Sequence, residues 1–175
     1  IKSCDSFISF SKNVGKKLKN STNKEVLPLF HPINDDLPNK ISKDEALSNL
    51  DLPSRKYILF IGLIRKYKGV ESLINAFHYV SKEHENLRLI IAGEFYDDIN
   101  IYKTLIKRKD LEDKVIIDND FLKSSKIRDY ICISDLIIQP YKKASQSGIT
   151  PLAYFYDKPL VVSNIEGLKE IIIED

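Results

Sequence analysis

The sequence predicts an α/β protein built as a Rossmann-like, doubly wound parallel sheet with helices on both faces. Three observations carry that reading. Two runs of strand length, the continuously apolar Tyr57–Ile61 and Leu87–Ala92 with Arg88 as its one polar residue, are each followed directly by a glycine, as expected of strands buried on both sides. Between such runs lie segments whose apolar residues recur every three or four positions, the period of a helix packed on one face. Strand and helix patterns alternate from residue 56 onward, which implies βαβ units and a parallel sheet.

In chain order, Asp5–Ser11 reads as a short strand, Lys12–Lys19 as a short basic helix and Asn20–Lys24 as a turn. Glu25–Leu29 is a second short strand, ended by Pro28 and the sequence FHPIN. The polar stretch Asp35–Asn39, with Pro38, suits a linker. Ser42 can cap a helix over Lys43–Leu50, with Glu45 completing a capping box. After the strand ending at Gly62, Lys68 and Gly69 open a helix. Its apolar face carries Val70, Leu73, Ile74, Phe77 and Val80, and its polar face Glu71, Asn75, His78 and Lys82. Leu87–Gly93 is the next strand, followed by a helix over Ile101–Lys107 and a strand over Lys114–Ile117. Ser124 or Ser125 caps a helix to Ile133, and Asp135–Gln139 is a strand. A helix runs from Gly148 to Tyr156, Pro159–Val162 is a strand, and Leu168–Ile173 begins a last helix. The expected organisation is the end of a preceding domain and a linker over residues 1–40, then one ligand-binding domain over 41–175, truncated at its C-terminal end.

With 175 residues, 43% of them hydrophobic, the chain can bury a full core. Its 27 basic and 25 acidic side chains nearly balance. No Lys/Arg stripe interleaved with aromatics occurs, which argues against nucleic acid as a partner. The longest apolar runs reach about half a membrane span. Cys4 and Cys132 lie in apolar surroundings without CxxC spacing, so buried, reduced thiols of a cytosolic protein are expected. No signal-peptide pattern is visible. The chain opens on Ile1 and holds no methionine, so a longer parent chain is expected.

In doubly wound sheets, ligands bind outside the carboxyl ends of the strands at a topological switch point. The loops to watch are therefore 62–69, 93–98, 118–125 and 139–148. The first carries Arg65, Lys66 and Lys68, which can pair phosphate charge. The second places Glu94 after Gly93. The fourth belongs to the stretch QPYKKASQSGITPLAYFYDKP, in which a strand gives way to small polar residues, Gly148 and a helix start. Backbone N–H groups without helical partners make such a turn an anion site. Against these readings, loop cations are often only solvated, and Glu94 can simply solvate its loop. The first loop is not GxGxxG, since Leu63, Ile64 and Arg65 follow Gly62. Nor is it a Walker A loop, since Lys68 precedes glycine rather than Ser or Thr. Ser145 and Ser147 lack the GxSxG context of a hydrolase nucleophile. His31, His78 and His84 are scattered, so no metal site is expected, and His31 beside Pro32 reads as filling a turn.

Taken together, FIGLIRKYKGVESLINAF, LRLIIAGEF and SDLIIQPYKKASQSGITPLAYFYDKPLVVSNIEGLKEII resemble the C-terminal half of GT-B glycosyltransferases of family 4. The shared pattern is G-x-x-x-x-x-K-G after a strand, LI-x-A in the following helix, a strand ending in AG, then D-x-x-x-x-P, P-V-V and GG-x-x-E. The similarity covers residues 55–175 and, more faintly, residues 1–32. It implies a domain that binds a UDP- or GDP-sugar and helps transfer the sugar with retained configuration to a glycan, lipid or protein acceptor, without a cofactor or a required metal. It further implies an N-terminal acceptor-binding domain in the same protein, a cytoplasmic location, and contact with the inner face of the membrane through that other domain.

Residue by residue, Lys68 before Gly69 matches the lysine that neutralises the donor diphosphate. The family's arginine directly after the first glycine, Gly62, is Leu63 here, and Arg65 is the expected replacement. Gly93 matches the glycine lining the donor cleft, and Phe121 and Leu122 match the loop that holds the base. Gly148 matches the glycine that approaches the donor phosphate, with the N–H groups of Ser147 and Ile149 as donors. The family's E-x7-E pair is missing. In one register its positions are Ala144 and Leu152, and in the other Ser145 and Ala153, so Gln146 or Ser145 is the expected substitute near the transferred sugar. The QSG sequence at 146–148 is similar to that of a branch of the family. Glu170 stands in place in GG-x-x-E, whereas Glu166 replaces a glycine and is expected to narrow the cleft. Two other readings remain: a non-catalytic nucleotide-binding or assembly module, and a flavodoxin-like receiver, which the basic first loop disfavours.

Overall fold

The computed structural model describes residues 3–33 and 36–172. Its main body is a five-stranded parallel sheet of β3 (Lys56–Ile61), β4 (Leu87–Ala92), β5 (Val115–Asp118), β6 (Leu136–Gln139) and β7 (Leu160–Val162), in the order β5-β4-β3-β6-β7. Alternation along each strand splits the core into two layers, because successive side chains point to opposite faces. Leu59 and Ile61 of β3, with Ile90 and Ala92 of β4, pack toward α2 (Lys43–Leu50) and α5 (Ser124–Ile133). Phe60, Leu89 and Ile91 pack on the opposite side, toward α3 (Val70–Glu83) and α4 (Ile99–Arg108). The predicted fold class is therefore the observed one.

Helix α2 has the predicted bounds, and Ser42 Oγ accepts the Glu45 N–H at 3.1 Å. Helix α4 begins two residues before its predicted start because Asp98 caps it, accepting from Asn100 N–H at 2.9 Å. The final helix α7 spans Glu166–Lys169, earlier than predicted; Ile173, the expected end, lies outside the described residues.

Ahead of the sheet, β1 (Ser6–Ser9) and β2 (Glu25–Pro28) pair in parallel around α1 (Lys12–Lys19). This two-stranded unit leaves Ile8, Leu27, Leu29 and Phe30 exposed. Its α1 receives an unusual cap. The Glu170 carboxylate accepts from Ser11 Oγ (3.0 Å), Lys12 N–H (2.8 Å) and Asn13 N–H (2.9 Å), and Glu166 accepts from the Asn13 side chain. A carboxylate at a helix N-terminus satisfies orphan donors and opposes the positive end of the dipole. Glu166 thus turns toward α1 and does not narrow the cleft described below. Cys132 is buried as expected, whereas Cys4, two residues ahead of β1, is exposed.

Candidate functional site

Strands β3 and β6 are neighbours, but β3 sends the chain to α3 on one face and β6 sends it to α6 (Ile149–Phe155) on the other. Their loops separate at this switch point and leave a cleft of about 560 Å³. The β3 loop contributes Gly62, Leu63, Tyr67 and Lys68, and the β6 loop contributes Tyr141 and residues 143–149. Thus the first and fourth predicted loops meet, and the third does not join them.

Lys68 is brought back over the cleft by a single 3-10 turn, Lys66–Lys68, which ends on Gly69 at φ 75°. Its ammonium stands 5.2 Å from the Tyr141 ring centroid and 3.5 Å from where a Cβ on Gly62 would sit. Burial, and then the charge of Arg65, lowers its pKa. An arriving anion relieves both effects. The Tyr141 phenol is pushed up to about 12, chiefly by burial, so it stays protonated beside the lysine. Lys143 adds a second cation to the lining, and no Asp or Glu is among the cleft-lining residues.

Ser145, Gln146, Ser147, Gly148 and Ile149 all line the cleft, but not all are free to bind. The Ile149 N–H already donates to Ser147 Oγ at 3.2 Å, so the turn caps itself and that expected donor is occupied. Helix α6 has only seven residues, and its dipole is correspondingly weak. Gly148 has φ −73°, which any residue can adopt. What glycine supplies here is room, since a Cβ would stand 3.5 Å from Cε1 and Nε2 of His31.

Four other predicted site residues lie elsewhere. Arg65 turns out of the cleft and stacks over the Tyr96 ring, 4.5 Å from its centroid. The cause is that parallel pairing continues past β3 and β4: Ile64 N–H donates to Glu94 O at 2.8 Å and Tyr96 N–H to Ile64 O at 3.0 Å. Gly93 does not line the cleft. It sits at φ 130°, where a Cβ would lie 2.3 Å from Gly62 O, so its part is to let two loops pass closely. The Leu122 side chain is 9% exposed and belongs to the core, while Phe121, 81% exposed, borders a separate hollow between α2 and α5. Of the alternative positions for the absent glutamate pair, Ala144 and Ser145 line the cleft, Ala153 is buried and Leu152 packs against the core.

The sequence reading missed His31, Lys143 and Gly167. His31 enters the cleft from the segment after β2, held by its ring contact with Phe10 (5.7 Å) and by Nδ1 against Pro32 O (2.9 Å). No local pattern announces it, because the contact is purely tertiary. Lys143 had a signal, being one of two adjacent lysines just past the end of a buried strand. Gly167 packs so closely that a Cβ would lie 2.1 Å from Ala144 O, which ties the last helix to the β6 loop.

Comparison with known proteins now adds a family. The model for "Glycosyl transferases group 1" matches residues 42–175. The chain belongs to that family. Among its relatives, the alpha-D-kanosaminyltransferase of Streptomyces kanamyceticus is 26% identical over 138 residues, covering 78% of this chain and 35% of the relative. An uncharacterised glycosyltransferase of Methanocaldococcus jannaschii is 32% identical over 123 residues, covering 67% and 29%. Among solved structures, an Anabaena protein in complex with UDP-glucose has a TM-score of 0.83 at 15% identity, covering 98% of this chain and 48% of that one. The group 1 glycosyltransferase chain therefore spans about a third of the length of these curated relatives. It has the Rossmann-like architecture of GT-B glycosyltransferases.

Proposed function

We propose that the cleft binds the diphosphate of a UDP- or GDP-sugar and that the whole protein transfers the sugar, of hexose type, to a glycan, lipid or protein acceptor with retained configuration and without a metal. The carrying observation is a concave site at the switch point with Lys68, Lys143 and His31 on its walls and no carboxylate in its lining. Such a site favours the charge that grows on a departing nucleoside diphosphate. Fixed cations aimed at a leaving group lower the barrier most where water is excluded. Gln146 and Ser145 stand where the transferred sugar would meet the loop. With Nδ1 protonated toward Pro32 O, His31 presents Nε2 as an acceptor for a ligand hydroxyl. The Anabaena structure, which holds UDP-glucose, supports this reading by its likeness in fold.

The acceptor site belongs to a further domain on the N-terminal side. The exposed apolar face of the β1–β2 unit supports that assignment, since a two-stranded sheet needs a covering layer for stability. We place the protein in family 4, in the cytoplasm, with any contact at the inner membrane face made through that further domain. Among the described residues no helix is long and apolar enough to cross a membrane. This 175-residue segment alone is expected to bind the donor weakly and transfer nothing.

Calorimetric titration with UDP, GDP and their sugars tests the site. Lys68→Ala should weaken binding by about 1–3 kcal/mol, the worth of a charge-assisted contact. Arg65→Ala should cost less, since its guanidinium faces Tyr96. His31→Ala should cost about 0.5–1.5 kcal/mol, one neutral hydrogen bond. Unchanged affinity in Lys68→Ala would remove the diphosphate assignment. The missing carboxylates also favour a second reading, a non-catalytic nucleotide-binding or assembly module. Tight nucleotide binding by the full-length protein with no turnover of any sugar donor would establish it.

A further inference from the structure

Beside the cleft lies a second hollow of about 660 Å³, lined by Arg65, Lys66, Tyr67, Tyr96, Asp97, Lys142 and Lys143. Four cations thus face one carboxylate in a chain whose charges otherwise nearly balance. Elsewhere Lys40, Lys43, Lys56, Lys126 and Arg128 are each paired with an aspartate. None of the four cations here has an ion pair among the described residues. The lone acid, Asp97, is engaged with the Tyr102 hydroxyl at 3.3 Å.

The arrangement is held by the backbone rather than left to solvent. The Lys142 N–H donates to Tyr67 O at 2.8 Å, which binds the β6 loop to the 3-10 turn and sets Lys66 and Lys142 on neighbouring segments. The Ile64–Phe95 bridge binds the β3 loop to the β4 loop, and on that frame the Arg65 guanidinium carbon sits over the half-exposed Tyr96 ring, 4.5 Å from its centroid. A guanidinium over an aromatic ring can still offer N–H donors for a two-pronged contact with phosphate oxygens. Two loops therefore deliver unpaired cations to one concavity, and the β4 loop supplies the ring that seats Arg65.

We propose that this basic hollow is a second anion site, which takes a phosphate group of a molecule bound at the same time as the occupant of the first cleft. Tyr67 and Lys143 line both hollows, so the two occupants are neighbours. This rests on the glycosyltransferase reading only for the identity of the second molecule, an acceptor whose phosphate reaches this hollow while the rest of it lies on the further domain. The anion site itself follows from the charges and stands without that reading. The phosphate can come from a soluble phosphoester or from a lipid headgroup, with the same chemistry at the hollow.

The test uses the intact protein, with Lys66→Gln, Lys142→Gln and the double variant, none of which alters the first cleft. Glycerol phosphate is titrated in the presence of saturating UDP, and vesicles of phosphatidylcholine with and without phosphatidylglycerol are sedimented with the protein. The expected result is binding of one or both phosphate probes, weakened roughly tenfold by each substitution and further by salt, with UDP affinity unchanged. Loss confined to glycerol phosphate identifies a soluble source, and loss confined to the anionic vesicles a lipid one. Equal binding of both probes by wild type and the double variant, or no binding of either by wild type, overturns the proposal. If Lys68→Ala leaves UDP affinity unchanged while the double variant loses its phosphate probe, the nucleotide reading fails and the second site stands.

Discussion

Replacing Gly69 by alanine is expected to destabilise the protein by about 3 kcal/mol or more, lowering its melting temperature by roughly 10 °C. Two penalties add at this position. A φ of 75° costs an L-residue about 1–2 kcal/mol, and the new Cβ would lie 2.0 Å from the Pro140 carbonyl oxygen, an overlap that only backbone movement relieves. Because Gly69 ends the 3-10 turn that carries Lys68 and abuts the β6 loop, the displacement also pushes the two walls of the cleft apart. Gly148→Ala is the matching control. Its φ is ordinary and its nearest neighbour is the His31 ring at 3.5 Å, so stability should hold while nucleotide affinity falls. Thermal unfolding and calorimetry on the two variants separate these outcomes. Equal melting temperatures for Gly69→Ala and wild type would refute the close approach.

Asp135→Ala is expected to cost about 2–3 kcal/mol. Asp135 stands at the start of β6, where its carboxylate accepts from Tyr57 N–H at 2.8 Å, from Lys43 at 3.0 and 3.1 Å and from Lys56 at 3.3 Å. It thereby joins β6, β3 and α2, and its removal leaves the amide of the buried Tyr57 without a partner. Burial alone would raise the pKa of this carboxyl, but the Tyr57 N–H and the two ammonium groups together hold it below the usual carboxylate range. A group whose pKa falls on folding contributes stability that is fully present above its unfolded value, near about pH 4, and is lost as pH drops through the folded value. Wild type should therefore lose stability on acidification below that range, and Asp135→Asn should lose less. Parallel acid-unfolding curves for the two proteins would show that Asp135 does not carry this dependence.

The parts of the molecule legible in the sequence are those written in contiguous residues. The strand at Tyr57–Ile61 announced itself because it is covered on both faces, and α2 because Ser42 and Glu45 mark its start. Lys68, Gly148 and the loop between them and their strands were legible for the same reason, since a strand end followed by small or basic residues places its own loop at the switch point. Where direction depended on a neighbouring segment, the reading failed. Arg65 was expected to face the phosphate, but the extended pairing of Ile64 with Phe95 turns it onto Tyr96. Leu122 was expected against a base, but the core needed its side chain. His31 was dismissed as filling a turn, because its cleft-side neighbour Gly148 lies on a distant part of the chain.

The Glu170 cap on α1 has a consequence for the order in which the molecule is completed. Its acceptor lies 158 residues after the Lys12 amide it satisfies. During synthesis, α1 therefore emerges with its Lys12 and Asn13 amides open to water, and they stay so until the described strands of the following sheet have been made. The cap on α1 is thus completed only after β7 has been made, and cleavage between β7 and Glu170 would leave the sheet while reopening the amides of Lys12 and Asn13 to water.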